Sequence, residues 1–340
     1  MLCKVCRAKA TVELRQHRAA YCNSCYVEYF LKQVRRNIHS QKMFRPDERI
    51  LVVVSGGKDS LSLWDALLRL GYRVSALYID LGIGEYSRRS LEKCRAFAGE
   101  RNAEFQAVSV QEEFGFSVPE LARRTRRVAC AVCGRIKRYL FNRLALEGGF
   151  AAVATGHNLD DEAAALLGNL LHWQTGYLAR QQPHLPSTHP GLVRKVKPLY
   201  TLTERECLAY ALIRRISYLP EECPYAEGAT SITYKEALNH LEAAAPGTKL
   251  AFFKGFLKHK GLFAEEEAGV KLRECVRCGQ VTTEEVCAVC RLVERAQANA
   301  AREAAKEAEP GEEGGGSGRS ASAPATGSEV PGELPEVPAP

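Results

Sequence analysis

No stretch of the 340 residues reaches the run of about 18 apolar side chains that a membrane-spanning helix needs, and no amphipathic anchor is visible. The opening residues, Met1-Leu2-Cys3-Lys4, lack the apolar core of a secretory signal. These absences predict a cytoplasmic protein with no membrane partner. Also missing is the Gly-x-x-x-x-Gly-Lys-Ser/Thr spacing of a Walker A loop. From Glu309 onward apolar residues nearly vanish, and Gly, Ser, Pro and Glu dominate to Pro340. Such a composition cannot offset the entropy of ordering, so 309–340 is expected to be a disordered acidic tail. That tail holds six Glu against Arg319, a net −5, which leaves +12 on residues 1–308 of a chain whose total is +7. A body this basic favours a polyanionic partner, with nucleic acid ahead of membrane, over a merely soluble basic surface. At 46% hydrophobic residues, the chain can make one large domain with appendages.

What the sequence does hold is organised around Ser55-Gly56-Gly57-Lys58-Asp59-Ser60, directly behind the run Ile50 to Val54. An apolar β-branched run, a Gly pair, then Leu61, Leu63, Trp64, Leu67 and Leu68 at helical spacing predict strand, tight turn and helix. Gly56 and Gly57 can take positive φ and let a ligand approach the backbone. The unpaired N–H groups of the following helix would point at an anion. Lys58 adds charge, and Ser55 and Ser60 add hydroxyls. An acid such as Asp59 beside a phosphate site fits if it holds Mg²⁺ rather than the phosphate itself. The Ser-Gly-Gly-x-Asp-Ser pattern resembles the PP-loop of the ATP pyrophosphatase superfamily, which implies cleavage of ATP to AMP and pyrophosphate.

Thirteen cysteines in a cytosolic chain argue for metal rather than disulfides. Cys3-x2-Cys6, fifteen residues, then Cys22-x2-Cys25 can close a tetrahedron around zinc, as can Cys275-x2-Cys278, eight residues, and Cys287-x2-Cys290. A redox dithiol is the alternative at the first set. Between them lies a basic run, Arg123, Arg124, Arg126, Arg127, Arg135, Lys137 and Arg138, flanking Cys130-x2-Cys133. Cationic surroundings favour thiolates and bind phosphates. For this pair three readings stand: a redox pair, a zinc site, or two ligands of a [4Fe-4S] cluster completed by Cys223 from a Pro-bounded loop. Cys94 and Cys207 sit in helical patterns and read as buried apolar residues.

Strands at 50–54, 74–80, 105–110 and 150–154 alternate with helices at 88–101 and 160–171, after a helix at 26–43. Alternation predicts an α/β fold: a doubly wound parallel sheet, Rossmann-like, flanked by the terminal zinc modules. Ligands of such sheets sit beyond the carboxyl ends of the strands, which brings Tyr78-Ile79-Asp80 and Ala154-Thr155-Gly156-His157 toward the Gly56-Gly57 turn. Asp160 and Asp161 at a helix start read either as dipole-favoured first-turn acids or as a partner for Mg²⁺ across a crevice. Gly156 would allow close approach of backbone. His157 alone reads as a structural histidine. Phe252, Phe253 and Phe256 read as core beside the basic residues Lys254, Lys258, His259 and Lys260. The expected organisation is a zinc module at 1–27, a catalytic domain with linker helix at 28–265, a second zinc module at 270–295 and the tail.

Taken together, both terminal modules, the PP-loop, the central pair, Thr155-Gly156-His157-Asn158-Leu159-Asp160-Asp161-Glu162 and Glu222-Cys223-Pro224-Tyr225 resemble the tRNA thiolation enzymes of the TtcA and TtuA family, TtuA branch, from Met1 to about Leu292. The resemblance implies that Cys130, Cys133 and Cys223 hold a [4Fe-4S] cluster. It implies that ribothymidine of the tRNA T-loop is the substrate, and that a ubiquitin-like carrier delivers sulfur as its thiocarboxylate. The uracil C2 oxygen would attack the α-phosphate of ATP and leave with AMP. Ser55, Gly56, Gly57 and Ser60 would hold pyrophosphate, Asp59 would act through Mg²⁺, and Val53 and Ile79 would frame adenine. Lys137 would offset charge on the α-phosphate, and Asp161 would be the acid or metal-linked partner. The cofactors implied are ATP, Mg²⁺, one [4Fe-4S] cluster and two Zn²⁺; a homodimer stays open. Competing readings are 2-thiolation of wobble uridine, a PP-loop synthetase acting on a small molecule, and a zinc-stabilised RNA-binding protein. The zinc modules and the basic run argue against a small substrate.

Overall fold

A computed structural model describes residues 1–226, 228, 230–267 and 271–308, and residues 1–300 form one compact unit. The expected tail at 309–340 lies outside the described residues.

A hairpin of β1 (Val12–Leu14) and β2 (Ala19–Tyr21) leads into α1 (Asn23–Ser40). Then come β3 (Arg49–Val54), α2 (Lys58–Arg69), β4 (Arg73–Asp80), α3 (Gly84–Arg101) and β5 (Phe105–Ser109). After them run α4 (Val110–Phe114), α5 (Val118–Thr125), α6 (Ala129–Glu147), β6 (Ala152–Thr155), α7 (Leu159–Leu171) and α8 (Thr175–Arg180). The chain continues through β7 (His184–Leu185), β8 (Arg194–Val196), α9 (Glu204–Ile213), α10 (Thr230–Ala244) and α11 (Thr248–His259). It ends in β9 (Arg273–Glu274), β10 (Val281–Thr282) and α12 (Ala288–Ala308).

The central sheet has the order β5-β4-β3-β6-β8-β7, parallel throughout except for the antiparallel edge strand β7. Side chains alternate across it. Ile50, Val52 and Val54 of β3 join Phe30, Trp64 and Tyr210 in one core layer, while Leu51 joins Leu77, Ile136 and Val153 in the other. A doubly wound sheet is therefore what forms, with its crossover helices covering both faces.

Several boundaries differ from the sequence reading for local reasons. The first helix starts at Asn23, not Tyr26, because Cys22 is its N-cap residue and Cys25 lies in its first turn; the N-terminal four-cysteine segment thus runs without a break into the helix. Val110 leaves the strand because the Ser109 hydroxyl accepts the Glu112 N–H and starts α4. Strand β6 begins at Ala152 rather than at Phe150. The sheet continues past β6 through β8 to the edge strand β7, two strands that the apolar pattern does not predict, since Arg194, Lys195 and Val196 offer no apolar run. Cys94 and Cys207 are fully buried, as is Phe253. Among the described residues no helix is long and apolar enough to cross a membrane.

Candidate active site

Beyond the carboxyl ends of β3, β4 and β6 lies a crevice of about 480 Å³. Its wall includes Val53, Ser55, Asp59, Ser60, Ile79, Lys137, Gly156 and Asp161 together with Cys130, Cys133 and Cys223. Residues from five separate chain segments meet there, including Cys223 and the Cys130–Cys133 pair.

The turn between β3 and α2 is held from several directions. Gly56 has φ +76°, and a Cβ on it would fall 2.7 Å from the Ser90 carbonyl oxygen. Ser90 Oγ donates to the Ser55 carbonyl at 2.9 Å, and the Leu219 N–H donates to the Gly56 carbonyl at 2.9 Å. The glycine is thus required by the close approach of α3 as much as by the backbone angle. Of the two glycines only Gly56 uses the positive-φ region; Gly57 sits at φ −81° as the N-cap of α2, which no side chain caps. Its N-terminal N–H groups can therefore receive an anion. The Ser60 hydroxyl accepts the Ser55 N–H at 3.1 Å and donates to the Gly57 carbonyl at 3.1 Å, so it shapes the turn.

Across the crevice, a Cβ on Gly156 would fall 2.8 Å from the Ser60 Cα and N. The close backbone approach expected at Gly156 is therefore made by the phosphate turn itself. Asn158 caps α7 by accepting the Asp160 and Asp161 N–H groups, and Asp161 Oδ2 accepts the Asn158 N–H at 3.0 Å. Asp160 points away: its carboxylate binds the buried Lys249 ammonium at 2.5 Å and the Glu204 N–H at 2.8 Å. Of the two adjacent acids, only Asp161 reaches the crevice, and it serves as both capping residue and crevice acid.

The two crevice acids differ in charge environment. Burial raises the Asp59 carboxyl above its ordinary value against the pull of Lys58, and the nearby Asp161 charge adds to the rise. Burial also works to raise Asp161, but Lys235 and His157 override it and hold that carboxyl low. Asp59 Oδ1 is buried without a hydrogen-bond partner among the described residues. A buried acceptor left open beside a second carboxylate suits a divalent cation held by one or two carboxylates plus phosphate oxygens. The Lys58 ammonium bonds Glu204 at 2.6 Å and Asp59 at 3.2 Å, and Lys58 borders a neighbouring cavity of about 490 Å³ rather than the crevice. His157, expected as a structural histidine, lines the crevice with Nδ1 2.8 Å from Thr155 Oγ1. Crowding protein atoms and Lys197 lower its pKa.

Cys130 and Cys133 occupy the first turns of α6, and Lys137 follows one turn later on the same face. Burial raises the Cys133 thiol, the Lys137 ammonium beside it works to lower it, and the charges of Cys223 and Cys130 raise it again. All three thiols line the same crevice. Cys130 Sγ donates to the Tyr225 carbonyl at 3.1 Å, which ties the helix to the Cys223 loop. Of the basic run, Arg123, Arg126, Arg127 and Arg138 stay exposed on the surface.

Each terminal four-cysteine set brings its sulfurs within 4.8 Å of one another. Cys6 and Cys22 sulfurs are 3.5 Å apart, Cys275 and Cys290 3.9 Å, and Cys278 and Cys287 3.7 Å. A tetrahedral Zn²⁺ with bonds of about 2.3 Å needs sulfurs about 3.8 Å apart, so both sets fit the ion. Backbone hydrogen bonds, that of Cys6 first, hold the Cys3 thiol at about 6 against burial. Cys130, Cys133 and Cys223 line one wall of the crevice, and three thiols facing one cavity are a donor set of the kind that iron-sulfur clusters take.

Sequence reasoning missed Tyr86, Ser87 and Ser90 of α3, which line the crevice, and Lys235 and Glu204 behind it. Small hydroxyls three apart in a helix offered a signal for the serines. Nothing local marked Lys235, which lies 74 positions from Asp161.

The fold and this crevice define a PP-loop ATP-binding domain, and the PP-loop domain family matches residues 28–226. A tRNA-5-methyluridine(54) 2-sulfurtransferase of Thermus thermophilus is 54% identical over 302 residues, 89% of this chain and 94% of that protein. Another, of Pyrococcus horikoshii, is 44% identical over 86% of this chain and 93% of that protein. A solved structure of the U34-tRNA thiolase NcsA from Methanococcus maripaludis with its [4Fe-4S] cluster shares the fold at a TM-score of 0.72 and 24% identity, covering 86% of this chain and 96% of that one. The chain belongs to the PP-loop family and, within it, to the TtuA type of tRNA 2-sulfurtransferases.

Proposed function

We propose that the protein is a cytoplasmic tRNA sulfurtransferase that replaces the C2 oxygen of T-loop ribothymidine with sulfur at the expense of ATP. The observation that carries this reading is the shared crevice: an anion-binding turn, two facing acids, a lysine and three cysteines line one cavity of about 480 Å³. The likeness to the two 5-methyluridine(54) enzymes, at 54% and 44% identity, supports position 54 over the wobble position.

In this reading the α2 N-terminus and the Ser55 to Ser60 turn bind the β- and γ-phosphates, and Val53 and Ile79 frame adenine. Asp59 and Asp161 would hold Mg²⁺. The uracil C2 oxygen attacks the α-phosphorus, pyrophosphate leaves, and an O-adenylate forms. Lys137 offsets charge gathering on the α-phosphate. Sulfur then adds at C2, and AMP departs with the original oxygen. Cys130, Cys133 and Cys223 would hold a [4Fe-4S] cluster, which when bound supplies an iron without a protein ligand for presenting sulfur. Sulfur comes from a ubiquitin-like thiocarboxylated carrier, and two Zn²⁺ order the ends of the chain. The exposed arginines of the 123–138 run fit tRNA phosphates.

Mass spectrometry of tRNA nucleosides from a strain lacking the protein tests the assignment. Loss of 2-thioribothymidine is the expected result. Loss of a 2-thio wobble base instead would move the substrate to the anticodon, and ATP cleavage without any dependence on tRNA would favour a small-molecule synthetase.

A further inference from the structure

Behind the crevice five charged side chains alternate in sign and connect its two acids. Lys58 Nζ stands 3.2 Å from Asp59 Oδ2 and 2.6 Å from Glu204 Oε1. Lys235 Nζ stands 2.5 Å from Asp161 Oδ1 and 3.6 Å from Glu204 Oε2. Each crevice acid therefore has its own ammonium, and the two ammoniums share one carboxylate. No member of the chain is more than 39% exposed at its side chain, so solvent screens it less than a surface network.

Glu204 is fixed by the fold. It opens α9 directly after the capping residue Thr203, and its N–H donates to Asp160. Lys235 comes from α10, which packs against α7, the helix that carries Asp161. Its contact with Asp161 is at hydrogen-bond length, whereas its contact with Glu204 is longer than one. Asp161 is thus neutralised by the protein itself at the oxygen its capping bond leaves free. A divalent cation that binds this acid must compete with an ammonium, and Glu204 is the acceptor within reach of that ammonium once displaced.

We propose that Lys235 and Glu204 are positioning residues that set the cation affinity of the Asp59 and Asp161 pair. Lys235 is the resident counter-ion of Asp161, and Glu204 receives it when a divalent cation arrives with the nucleotide. The consequence is a site that discriminates against free cation and accepts it together with the phosphates that help displace Lys235. This inference rests on the reading of the crevice as an ATP site.

The test uses the full-length, metal-loaded protein, with Mn²⁺ and a non-hydrolysable ATP analogue as probes, followed by calorimetry and by the electron paramagnetic resonance of free Mn²⁺. Without nucleotide, Lys235→Met is expected to bind Mn²⁺ about tenfold more tightly than wild type, and Glu204→Gln about tenfold more weakly. Glu204→Gln should also need about tenfold more Mg²⁺ to bind the analogue, and Lys235→Arg should stay close to wild type. The opposite signs separate the proposal from general destabilisation, which would weaken both variants. Mn²⁺ affinity unchanged in both variants, or lowered in both, overturns the counter-ion role while leaving Mg²⁺-dependent nucleotide binding by wild type intact. Wild type that fails to bind the analogue at any Mg²⁺ concentration overturns the ATP reading as well.

Discussion

The cysteines at the ends of the chain and those in its middle share the Cys-x2-Cys unit and put it to different ends. Each terminal set is closed within one short segment: β1 and β2 with the start of α1 bring in Cys3 to Cys25, and β9 and β10 with the start of α12 bring in Cys275 to Cys290. Their sulfurs lie 3.5 to 3.9 Å apart where pairs meet, the spacing of one tetrahedral ion. The central pair shares its cavity with Cys223, 90 residues beyond Cys133, and with Lys137 and two acids. A set that closes on itself leaves no room for a reactant and stabilises the fold. A set open to a crevice and ringed by charge leaves room for chemistry.

The largest effect expected from that difference is at Cys130. Cys130→Ala should abolish thiolation and remove the brown absorbance of the anaerobic protein while its melting temperature stays near that of wild type; retained activity under anaerobic assay would remove the cysteine from the mechanism. Next comes Lys137→Ala, for which a loss of about 10²- to 10³-fold in turnover is expected with ATP still bound. Single-turnover formation of the tRNA adenylate reads this step, and an unchanged rate would take Lys137 out of it. Cys278→Ser should do the reverse of Cys130→Ala: it should release one zinc and lower the melting temperature, because ligation in such modules is worth roughly 10 to 16 kcal/mol, yet leave the absorbance in place. Metal quantification beside a thermal melt distinguishes the two, and loss of absorbance in Cys278→Ser would erase the contrast. The smallest effect falls on Gly156→Ala, whose Cβ would press on the Ser60 backbone at 2.8 Å. A cost of about 1 to 3 kcal/mol in stability, with a raised KM for ATP, is expected; wild-type values in both would show that the two turns can separate freely.

The same contrast governs what could be read from the residues alone. The terminal sets are legible because every ligand and the reason for its position lie within 25 residues or fewer. The PP-loop turn is legible for the same reason: Val54, Gly56 and Asp59 are neighbours in sequence and in space. That β3, β4, β5 and β6 run parallel followed from the alternation of apolar runs, but their order in the sheet did not, nor did β8, whose Arg194-Lys195-Val196 offers no apolar run. Local sequence also left the role of each glycine open. Of the two glycines able to take positive φ only Gly56 does so, Gly57 caps α2, and Gly156 admits the backbone of Ser60. The serines of α3, Glu204 and Lys235 reach the crevice or its rear wall only through tertiary packing. Asp160 and Asp161 could not be separated by spacing; the fold assigns the first to Lys249 and the second to the crevice.

The central claim is that one cysteine set is open and shared between distant segments while two are closed and local. Quantifying iron and zinc in anaerobically purified wild type and Cys223→Ala tests it most directly. About four iron and two zinc per chain are expected in wild type, with the iron lost and both zinc retained in Cys223→Ala. Equal iron in the two proteins, or loss of zinc in the variant, would contradict it.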